Sequence, residues 1–259
     1  MYNNDRGGIV LALITGASSG IGREMAKYLA SLGHDLIVVA RNKKKLDELK
    51  TELNVNVTVY DYDLSDIKNC YKLYNDIKDK GVQIIINNAG YGLFENYYSN
   101  NLDDELNMIE INVKCQHILT KLFVNNKNTL YIMNVASSAG LIAGGPLMST
   151  YYATKSYSCS YSLSIYEELR RNNSKISLSI LCPGPVNTNF NTRANVKFNL
   201  KSLEADYVAE YAIKQMFKKK LIIIPGITVK LGLFFSKFLP IKLLLKITYK
   251  IQERKNTKK

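Results

Sequence analysis

The nonapeptide STYYATKSY places a phenol and an ammonium group four residues apart, at Tyr151 and Lys155. Side chains at positions i and i+4 of a helix lie on one face, a turn apart. Because a cation beside a phenol stabilises the phenolate, such a pair can exchange a proton with a bound molecule. The same spacing also occurs on surface helices with a solvated lysine, so the rest of the chain has to distinguish the two.

A glycine-rich stretch, LITGASSGIG, follows the first apolar run and reads Thr15-Gly16-x-x-x-Gly20-x-Gly22. Glycines permit a tight turn, the approach of a pyrophosphate to the backbone, and close packing of the next helix on a sheet. The start of that helix offers free N–H groups and a positive dipole end to phosphate. With a strand pattern before it and a helical pattern after it, the stretch predicts dinucleotide binding rather than an ordinary turn.

The second apolar run ends at Arg41, within the sequence VVARNKKK. An acid at this point would accept a hydrogen bond from the adenosine ribose and favour NAD. A guanidinium pairs instead with a 2′-phosphate, so Arg41 favours NADP(H), with NAD(H) possible. The alternative is that Arg41 only begins a solvated basic helix.

Short apolar runs rich in Val, Ile and Leu alternate with longer amphipathic patterns. This alternation predicts right-handed βαβ units with strands buried on both faces. We therefore expect an α/β fold, a Rossmann-type doubly wound parallel sheet flanked by helices, in one domain over residues 1–225. The predicted strands are Ile9–Ile14, Leu36–Ala40, Val55–Tyr60, Val82–Asn87, Thr129–Val135, Ile176–Leu181 and Leu221–Ile224. The predicted helices are 20–32, 43–53, 66–79, 102–126, 150–172 and 204–217.

Residues 226–259 form a separate basic segment. Of the net charge of +13, residues 218–259 hold +11, from twelve Lys or Arg and one acid. Uncharged stretches here are shorter than the ~20 residues of a membrane span. Beyond Pro240, cations recur every four residues among apolar residues, which predicts an amphipathic basic helix. It could lie on a membrane surface, cover the active-site cleft or pack against a partner subunit; we expect no nucleic acid, because the aromatic residues belong to the apolar face.

The four cysteines, Cys70, Cys115, Cys159 and Cys182, include no Cys-x-x-Cys pair and no pairing with histidine. This pattern argues against a zinc site or a disulfide scaffold and favours a reducing compartment. The N-terminus, with an acid and a short apolar run, does not resemble a secretory signal. We therefore expect no metal site and a cytoplasmic protein, peripheral to a membrane if residues 226–259 bind one.

Four motifs occur in one order: the glycine turn, NNAG at Asn87–Gly90, Tyr151-x-x-x-Lys155, and PGPVNT at Pro183–Thr188. In this order and spacing, the chain resembles the short-chain dehydrogenase/reductase family over about residues 9–225. The resemblance implies an oxidoreductase (EC 1.1.1.-) that transfers hydride between a nicotinamide cofactor and a carbon bearing oxygen, usually as a homodimer or homotetramer. With NADP as cofactor, carbonyl reduction is the expected direction.

The resemblance also implies catalytic roles. Tyr151 would donate the proton to the carbonyl oxygen, while Lys155 would lower its pKa, ordinarily about 10, and hydrogen-bond the nicotinamide ribose. Ser137 would bind the substrate oxygen, with Ser138 as the alternative because the segment to Tyr151 is one residue longer than in many members. Asn112 would hold a water in the proton relay behind the lysine.

The expected cofactor contacts follow the same motifs. Asp63 and Leu64 would flank the adenine, and the PGPVNT motif would hold the carboxamide and phosphates. The full set of expected cofactor-binding residues is Gly16, Ser18, Ser19, Gly20, Ile21, Gly22, Arg41, Asp63, Leu64, Asn88, Ala89, Gly90, Tyr151, Lys155, Pro183, Gly184, Val186 and Thr188.

Apolar stretches surround the expected substrate site: Tyr91–Phe94, Leu141–Met148 and the segment after Thr188. Such a lining suits a lipophilic ketone or alcohol, although the same residues could be core or subunit contacts. The alternative function is a non-catalytic dinucleotide-binding or membrane-associated scaffold on the same fold. A pure binder needs no proton donor, so the tyrosine, lysine, serine and asparagine set argues against it.

Overall fold

The computed structural model describes residues 10–94, 96–99, 101–188 and 202–254. Its strands are β1 (Leu11–Thr15), β2 (Asp35–Val39), β3 (Val57–Tyr60), β4 (Val82–Asn87), β5 (Tyr131–Val135), β6 (Ser177–Leu181), β7 (Val186–Asn187), β8 (Leu203–Glu204) and β9 (Ile222–Ile223). Seven of them form one parallel sheet in the order β3-β2-β1-β4-β5-β6-β9, and β7 pairs with β8 separately.

The helices are α1 (Gly20–Ser31), α2 (Lys43–Glu52), α3 (Ile67–Ile77), α4 (Leu102–Ile109), α5 (Gln116–Val124), α6 (Ser149–Arg171), α7 (Ala205–Phe217), α8 (Ile227–Ser236) and α9 (Ile241–Glu253). A π-helical segment, Glu110–Cys115, joins α4 to α5, and a 3-10 turn, Ser138–Leu141, follows β5. The predicted doubly wound α/β fold is confirmed. The helix predicted over 102–126 contains the π-helical segment, and the predicted first residue of the first strand, Ile9, lies outside the described residues.

Helices cover both faces of the sheet because successive strand residues point to opposite sides. In β1, Ala12 and Ile14 pack in one buried cluster with α1, α2 and α7, whereas Leu13 packs in the other with α3 and α5. The two layers hold the strands rigidly, so the side chains at the strand ends have fixed positions.

Buried polar side chains join the ends of β4 and β5 to the helices behind them. Asn87 Nδ2 donates to Asn134 Oδ1 at 2.9 Å and to Thr120 Oγ1 at 3.1 Å. Asn134 Nδ2 donates in turn to Ser162 Oγ at 2.9 Å. These bonds tie α5 and α6 to the carboxyl edge of the sheet. The strand order reverses beside β1 and β4, which is where a doubly wound sheet forms its ligand crevice.

Residues 226–254 form two helices, α8 and α9, which we call the C-terminal helix pair. Val229 of α8 packs against Gly184, 2.6 Å from where a Cβ on that glycine would lie. Three residues of α9 at intervals of four, Leu244, Thr248 and Gln252, are buried. The helix pair is therefore packed on the body of the protein, and within the described residues no helix is long and apolar enough to cross a bilayer.

Candidate active site

Two adjoining cavities form a groove along the carboxyl edge of the sheet. The first, of about 280 Å³, extends from the glycine turn past Ser137, Tyr151 and Lys155 to α9. The second, of about 270 Å³, lies over the ends of β2 and β3. Both are lined by Gly16 and Gly90, so the two cavities are continuous at the turn.

The glycine turn is held against the end of β4. Thr15 Oγ1 accepts from the backbone N–H groups of Asn88 and Ala89, both at 3.0 Å. A Cβ on Gly22 would lie 2.3 Å from Asn88 Nδ2, and Gly16 has a φ of 68°, in the left-handed region. Side chains at these glycines would collide with the residues after β4 or with the turn itself, so glycine is required for the close packing of the turn.

Tyr151 lies in the first cavity, on the first turns of α6. Burial raises its pKa to about 12, with smaller contributions from Tyr152 and Cys182, whereas a hydrogen bond with Ser137 acts in the opposite direction. Ser137 Oγ also accepts from the N–H of Ala139 at 3.1 Å, which orients the hydroxyl toward the phenol. The tyrosine is therefore protonated at neutral pH and paired with a serine.

Lys155 is buried behind Tyr151. Its Nζ donates to the Val135 carbonyl at 3.0 Å and lies 5.9 Å from the centre of the Tyr151 ring. Burial lowers the pKa of Lys155 to about 8, against the opposing influence of Cys159 and Cys182. In the protein alone, burial is the largest influence on the pKa of Tyr151. That Lys155, together with a bound nicotinamide, lowers this pKa stays a prediction.

Asn112 lies in the π-helical segment and its side-chain amide is fully engaged. Nδ2 donates to Tyr91 O at 2.8 Å and to Thr154 Oγ1 at 3.1 Å, while Oδ1 accepts from Tyr91 N at 3.0 Å. A Cβ on Gly90 would lie 2.6 Å from Asn112 Oδ1 and 3.5 Å from Lys155 Nζ. The amide thus holds the loop after β4 against α6, beside the lysine.

Ser138 also lines the first cavity, but its recorded bond is from its backbone N–H to Pro183 O, at 2.8 Å. The turn that carries both serines packs closely on α6. A Cβ on Gly140 would lie 2.3 Å from the Lys155 carbonyl oxygen. This contact holds the turn that follows Ser137 close to α6.

Arg41 lines the second cavity together with Lys45 and Asp63. Its guanidinium lies 3.6 Å from the Asp63 carboxylate, and both side chains are about half exposed. Burial alone would raise the pKa of Asp63, but hydrogen bonds from Ser65 and the charge of Arg41 outweigh it and hold the pKa below its usual value. Such an exposed ion pair is weak, ~0–1 kcal/mol, so the guanidinium is available to a phosphate.

The two cavities bring together the residues that the sequence singled out, with two exceptions. Gly22 packs behind the turn and Asn112 lies behind the first cavity. The first cavity is lined by Gly16, Ser19, Gly20, Ile21, Asn88, Gly90, Ser137, Tyr151, Lys155, Pro183, Gly184, Val186 and Thr188. The second is lined by Gly16, Ser18, Ser19, Arg41, Asp63, Leu64, Ala89 and Gly90.

Sequence reasoning left open that residues 226–259 cover the active-site cleft, but it did not identify the far end of the first cavity, where Tyr152 and Gln252 meet. Tyr91 and Met148, from two of the apolar stretches, also line this cavity, whereas Phe94 is buried in the cluster around Tyr151. No sequence signal could place Gln252 here, because it is 100 residues from Tyr152. The stretch after Thr188 lies outside the described residues as far as residue 201.

The groove suits a dinucleotide on three observations: side-chain-free space at the turn, cations at the end of the second cavity, and a buried phenol and ammonium in the first. Lys155 and Tyr151 would hold the nicotinamide end, and Arg41 the adenosine end. Among the described residues, no group of three His, Cys, Asp or Glu is placed to bind a metal.

The fold and this site define a dinucleotide-dependent oxidoreductase that acts on an alcohol or its carbonyl. Residues 10–198 match the family model described as short chain dehydrogenase. The chain belongs to the short-chain dehydrogenase/reductase family.

Individual relatives agree with this assignment. An uncharacterized oxidoreductase of Staphylococcus epidermidis is 30% identical over 213 residues, 79% of this chain and 91% of the relative. A very-long-chain 3-oxoacyl-CoA reductase of Mycosarcoma maydis is 28% identical over 180 residues, 64% of this chain and 51% of the relative. A short-chain dehydrogenase from Sphingobium yanoikuyae, solved in complex with NADPH, has a TM-score of 0.78 at 27% identity and covers 89% of this chain and 94% of its own.

Proposed function

We propose that the protein is an NADP-dependent reductase of carbonyl groups on lipophilic molecules. The observation that carries the proposal is the hydrogen-bonded pair of Tyr151 and Ser137 in a buried cavity, with Lys155 one turn away. A phenol paired with a serine in the groove and followed one turn later by a buried lysine provides a proton donor, which a non-catalytic scaffold does not need.

The chain's residues position a carbonyl and provide its proton. Ser137 and Tyr151 donate to the substrate oxygen, and Tyr151, whose pKa is about 12, still holds its proton at neutral pH. When bound, the nicotinamide supplies the hydride. Lys155, charged below its pKa of about 8, stabilises the phenolate that remains. A tyrosine that is protonated at rest is in the protonation state that carbonyl reduction requires.

The preference for NADP rests on the end of the second cavity. Arg41 and Lys45 line it, and α2 begins there with Asn42 as its N-cap, so two cations and a helix N-terminus surround one place. This arrangement suits a 2′-phosphate. The NADPH bound by the Sphingobium relative is consistent with it.

The lipophilic substrate rests on the first cavity's surroundings. Tyr151 belongs to a buried apolar cluster with Tyr91, Met108, Met148 and Tyr152. A cavity beside such a cluster favours an apolar substrate body with few polar groups. The name of the Mycosarcoma maydis relative, a very-long-chain 3-oxoacyl-CoA reductase, points the same way.

Two variants test the reaction and the cofactor. Tyr151→Phe should abolish turnover of a lipophilic ketone while NADPH binding, followed by fluorescence, remains. Arg41→Ala should weaken NADPH by roughly 10- to 150-fold, the equivalent of a ~1.5–3 kcal/mol charge-assisted bond, and leave NADH unchanged. Lys44→Ala is the matched control, since Lys44 lies in the first turn of the same basic helix without lining the second cavity.

Full activity of Tyr151→Phe would refute the enzyme proposal. So would NADPH binding by both the wild type and Tyr151→Phe without turnover of any ketone in a panel. Equal losses of NADPH affinity in Arg41→Ala and Lys44→Ala would refute a direct contact between Arg41 and the 2′-phosphate, because the two residues would then contribute only their positive charge.

We also propose that the enzyme works in the cytoplasm, peripherally attached to a membrane by the C-terminal helix pair. The side of the pair away from the protein exposes large apolar residues, with Phe238 71% exposed, beside Lys242 and Lys246. Apolar residues with interspersed lysines suit an acidic lipid surface, at ~1 kcal/mol per lysine. The four buried free thiols suit a reducing compartment.

Co-sedimentation with vesicles tests the attachment. The protein should bind phosphatidylcholine vesicles containing phosphatidylglycerol, less so at high salt, and Lys242→Glu with Lys246→Glu should release it. Lys121→Glu with Lys175→Glu, two exposed lysines elsewhere, should not. Equal effects of the two pairs would refute the attachment.

For the assembly, we propose a homodimer or homotetramer. Tyr157 and Leu163 of α6 are exposed, and His117 of α5 stacks on Tyr161 with ring centres 4.5 Å apart. This aromatic surface suits a second copy of the chain. Light scattering during gel filtration tests it, and a monomeric mass at micromolar concentration would contradict it.

A further inference from the structure

We infer that Tyr152 is a further hydrogen-bond donor to the substrate, oriented by Gln252, and that the site therefore selects carbonyl compounds carrying a second acceptor oxygen. This inference rests on the proposed function, because it concerns the substrate of the same cavity. It narrows the substrate class from any lipophilic ketone to those such as keto esters, keto amides and diketones.

The first observation is location. Tyr152 and Gln252 line the cavity that also contains Tyr151 and Ser137. The two tyrosine rings have centres 6.3 Å apart and are nearly perpendicular. A substrate whose carbonyl reaches Tyr151 therefore has Tyr152 beside the next part of its chain.

The second observation is the direction of one hydrogen bond. Gln252 Nε2 donates to the Tyr152 hydroxyl oxygen at 2.6 Å. The phenol thus acts as acceptor in this bond, and among the described residues neither its own O–H proton nor the buried Gln252 Oε1 has a partner. Tyr152 is only 8% exposed, and leaving a buried donor unsatisfied costs ~1–3 kcal/mol. An acceptor oxygen on the substrate would satisfy it.

The third observation is how firmly Gln252 is held. Its side chain is 2% exposed, on the same face of α9 as Thr248 and Leu244. Leu245 of the same helix lies against Gly144, 3.2 Å from where a Cβ on that glycine would be. The helix thus fixes the amide against the phenol, and the amide in turn fixes the direction left for the O–H proton.

The chemistry of the pair sets the polarity of this part of the site. Burial raises the pKa of Tyr152, with the Gln252 bond acting in the opposite direction, so the phenol stays neutral and keeps its proton to donate. A neutral donor favours a neutral acceptor such as an ester, amide or ketone oxygen. Because a site built to bond a polar group rejects analogues lacking it, the second oxygen becomes a specificity element.

The test compares a keto ester with the ketone of the same length in which the ester is replaced by methylenes. Enough carbons separate the ester from the keto group that the ester does not increase the reactivity of the ketone. We measure kcat/KM for both substrates in the wild type, Tyr152→Phe, Gln252→Glu and the control Tyr157→Phe. Tyr157 lies on the same helix but bonds His117 Nδ1 outside the cavity, at 2.7 Å.

Tyr152→Phe should lower kcat/KM for the keto ester about 10-fold, which corresponds to ~1.4 kcal/mol, and change the plain ketone less than about twofold. Gln252→Glu should have the same selective effect, because its carboxylate accepts a hydrogen bond from the Tyr152 O–H, which then no longer donates to the substrate. Tyr157→Phe should leave the ratio of the two substrates at the wild-type value. Equal losses on both substrates would assign Tyr152 a packing role and overturn the inference.

A binding measurement separates this inference from the reaction itself. With NADPH present, calorimetry compares the hydroxy ester with the plain alcohol. Tighter binding of the hydroxy ester that is lost in Tyr152→Phe supports the inference even if no turnover is found, a result that would instead count against the proposed reaction. Equal binding of the two ligands, or binding of neither, overturns it.

Discussion

Replacing Gly140 by alanine should impair catalysis although Gly140 itself is not expected to touch substrate. The added Cβ would lie 2.3 Å from the Lys155 carbonyl oxygen, 2.7 Å from the Lys155 carbonyl carbon and 2.8 Å from Cys159 Sγ. Two of these atoms are backbone within α6, so they cannot rotate away. The turn carrying Ser137 has to move instead.

The size of that movement follows from the contact. Ordinary contacts of a Cβ begin at 3.4 Å, so the turn must move away from α6 by about 1 Å. Overpacking of this kind costs ~1–3 kcal/mol of stability. A displacement of ~1 Å between Ser137 and Tyr151 should lower kcat/KM about 100-fold. NADPH binding at the distant Arg41 end should change little.

The assay is steady-state reduction of a lipophilic ketone, with NADPH affinity and thermal unfolding measured in parallel. Gly232→Ala is the matched control, since a Cβ there meets nothing within 4 Å and the helix position favours alanine. It should leave activity intact and stability equal or higher. A fully active Gly140→Ala protein, or one that loses activity only by unfolding, would refute the link between this contact and the serine–tyrosine distance.

Two further predictions concern buried polar groups. Thr15→Val removes the acceptor of the Ala89 N–H and one of the two acceptors of the Asn88 N–H, whose other acceptor is Ile86 O at 3.1 Å, and should lower the free energy of unfolding by about 1–3 kcal/mol. Thr15→Ser should keep most of the stability. Urea unfolding measures both variants, and equal losses would contradict the role of the hydroxyl. Lys155→Met should abolish reduction yet raise the free energy of unfolding at pH 7 by about 2 kcal/mol. Burial has lowered the lysine pKa from 10.5 to about 8, so the variant removes a desolvation penalty of ~3 kcal/mol. It also loses one hydrogen bond to Val135 O, which offsets ~1 kcal/mol of that gain. Between those two pKa values the lysine is protonated in the unfolded chain and neutral in the folded one. The desolvation penalty of the wild type is therefore complete below pH 8 and disappears as the pH rises toward 10.5. A stability gain of Lys155→Met that stays constant from pH 7 to pH 10 would contradict this prediction.

Local patterns were sufficient for the framework of the protein. Short runs such as Leu36–Ala40 are apolar throughout, as expected of strands covered on both faces, and they appear as parallel strands of one sheet. The glycine turn lies between β1 and α1, where its spacing placed it. Side chains at strand ends must converge at one edge of a parallel sheet, so their order along the chain predicted which residues would come together.

Features that depend on tertiary contacts were not predictable in the same way. The π-helical segment around Asn112 leaves no pattern in the sequence, because it depends on bonds to Tyr91 and Thr154. The high pKa of Tyr151 depends on burial, which spacing along a helix does not report. The contact of Gln252 with Tyr152 joins residues 100 positions apart, and only the packing of α9 reveals it.

The position of Gln252 has an evolutionary consequence. The family match ends at residue 198, and Gln252 lies 54 positions beyond it, yet Gln252 lines the first cavity. Mutations in the C-terminal helix pair can therefore change substrate specificity without altering the residues that transfer the proton and position the cofactor. Paralogues that share the first 200 residues and diverge afterwards should differ in substrate specificity rather than in the reaction that they catalyse.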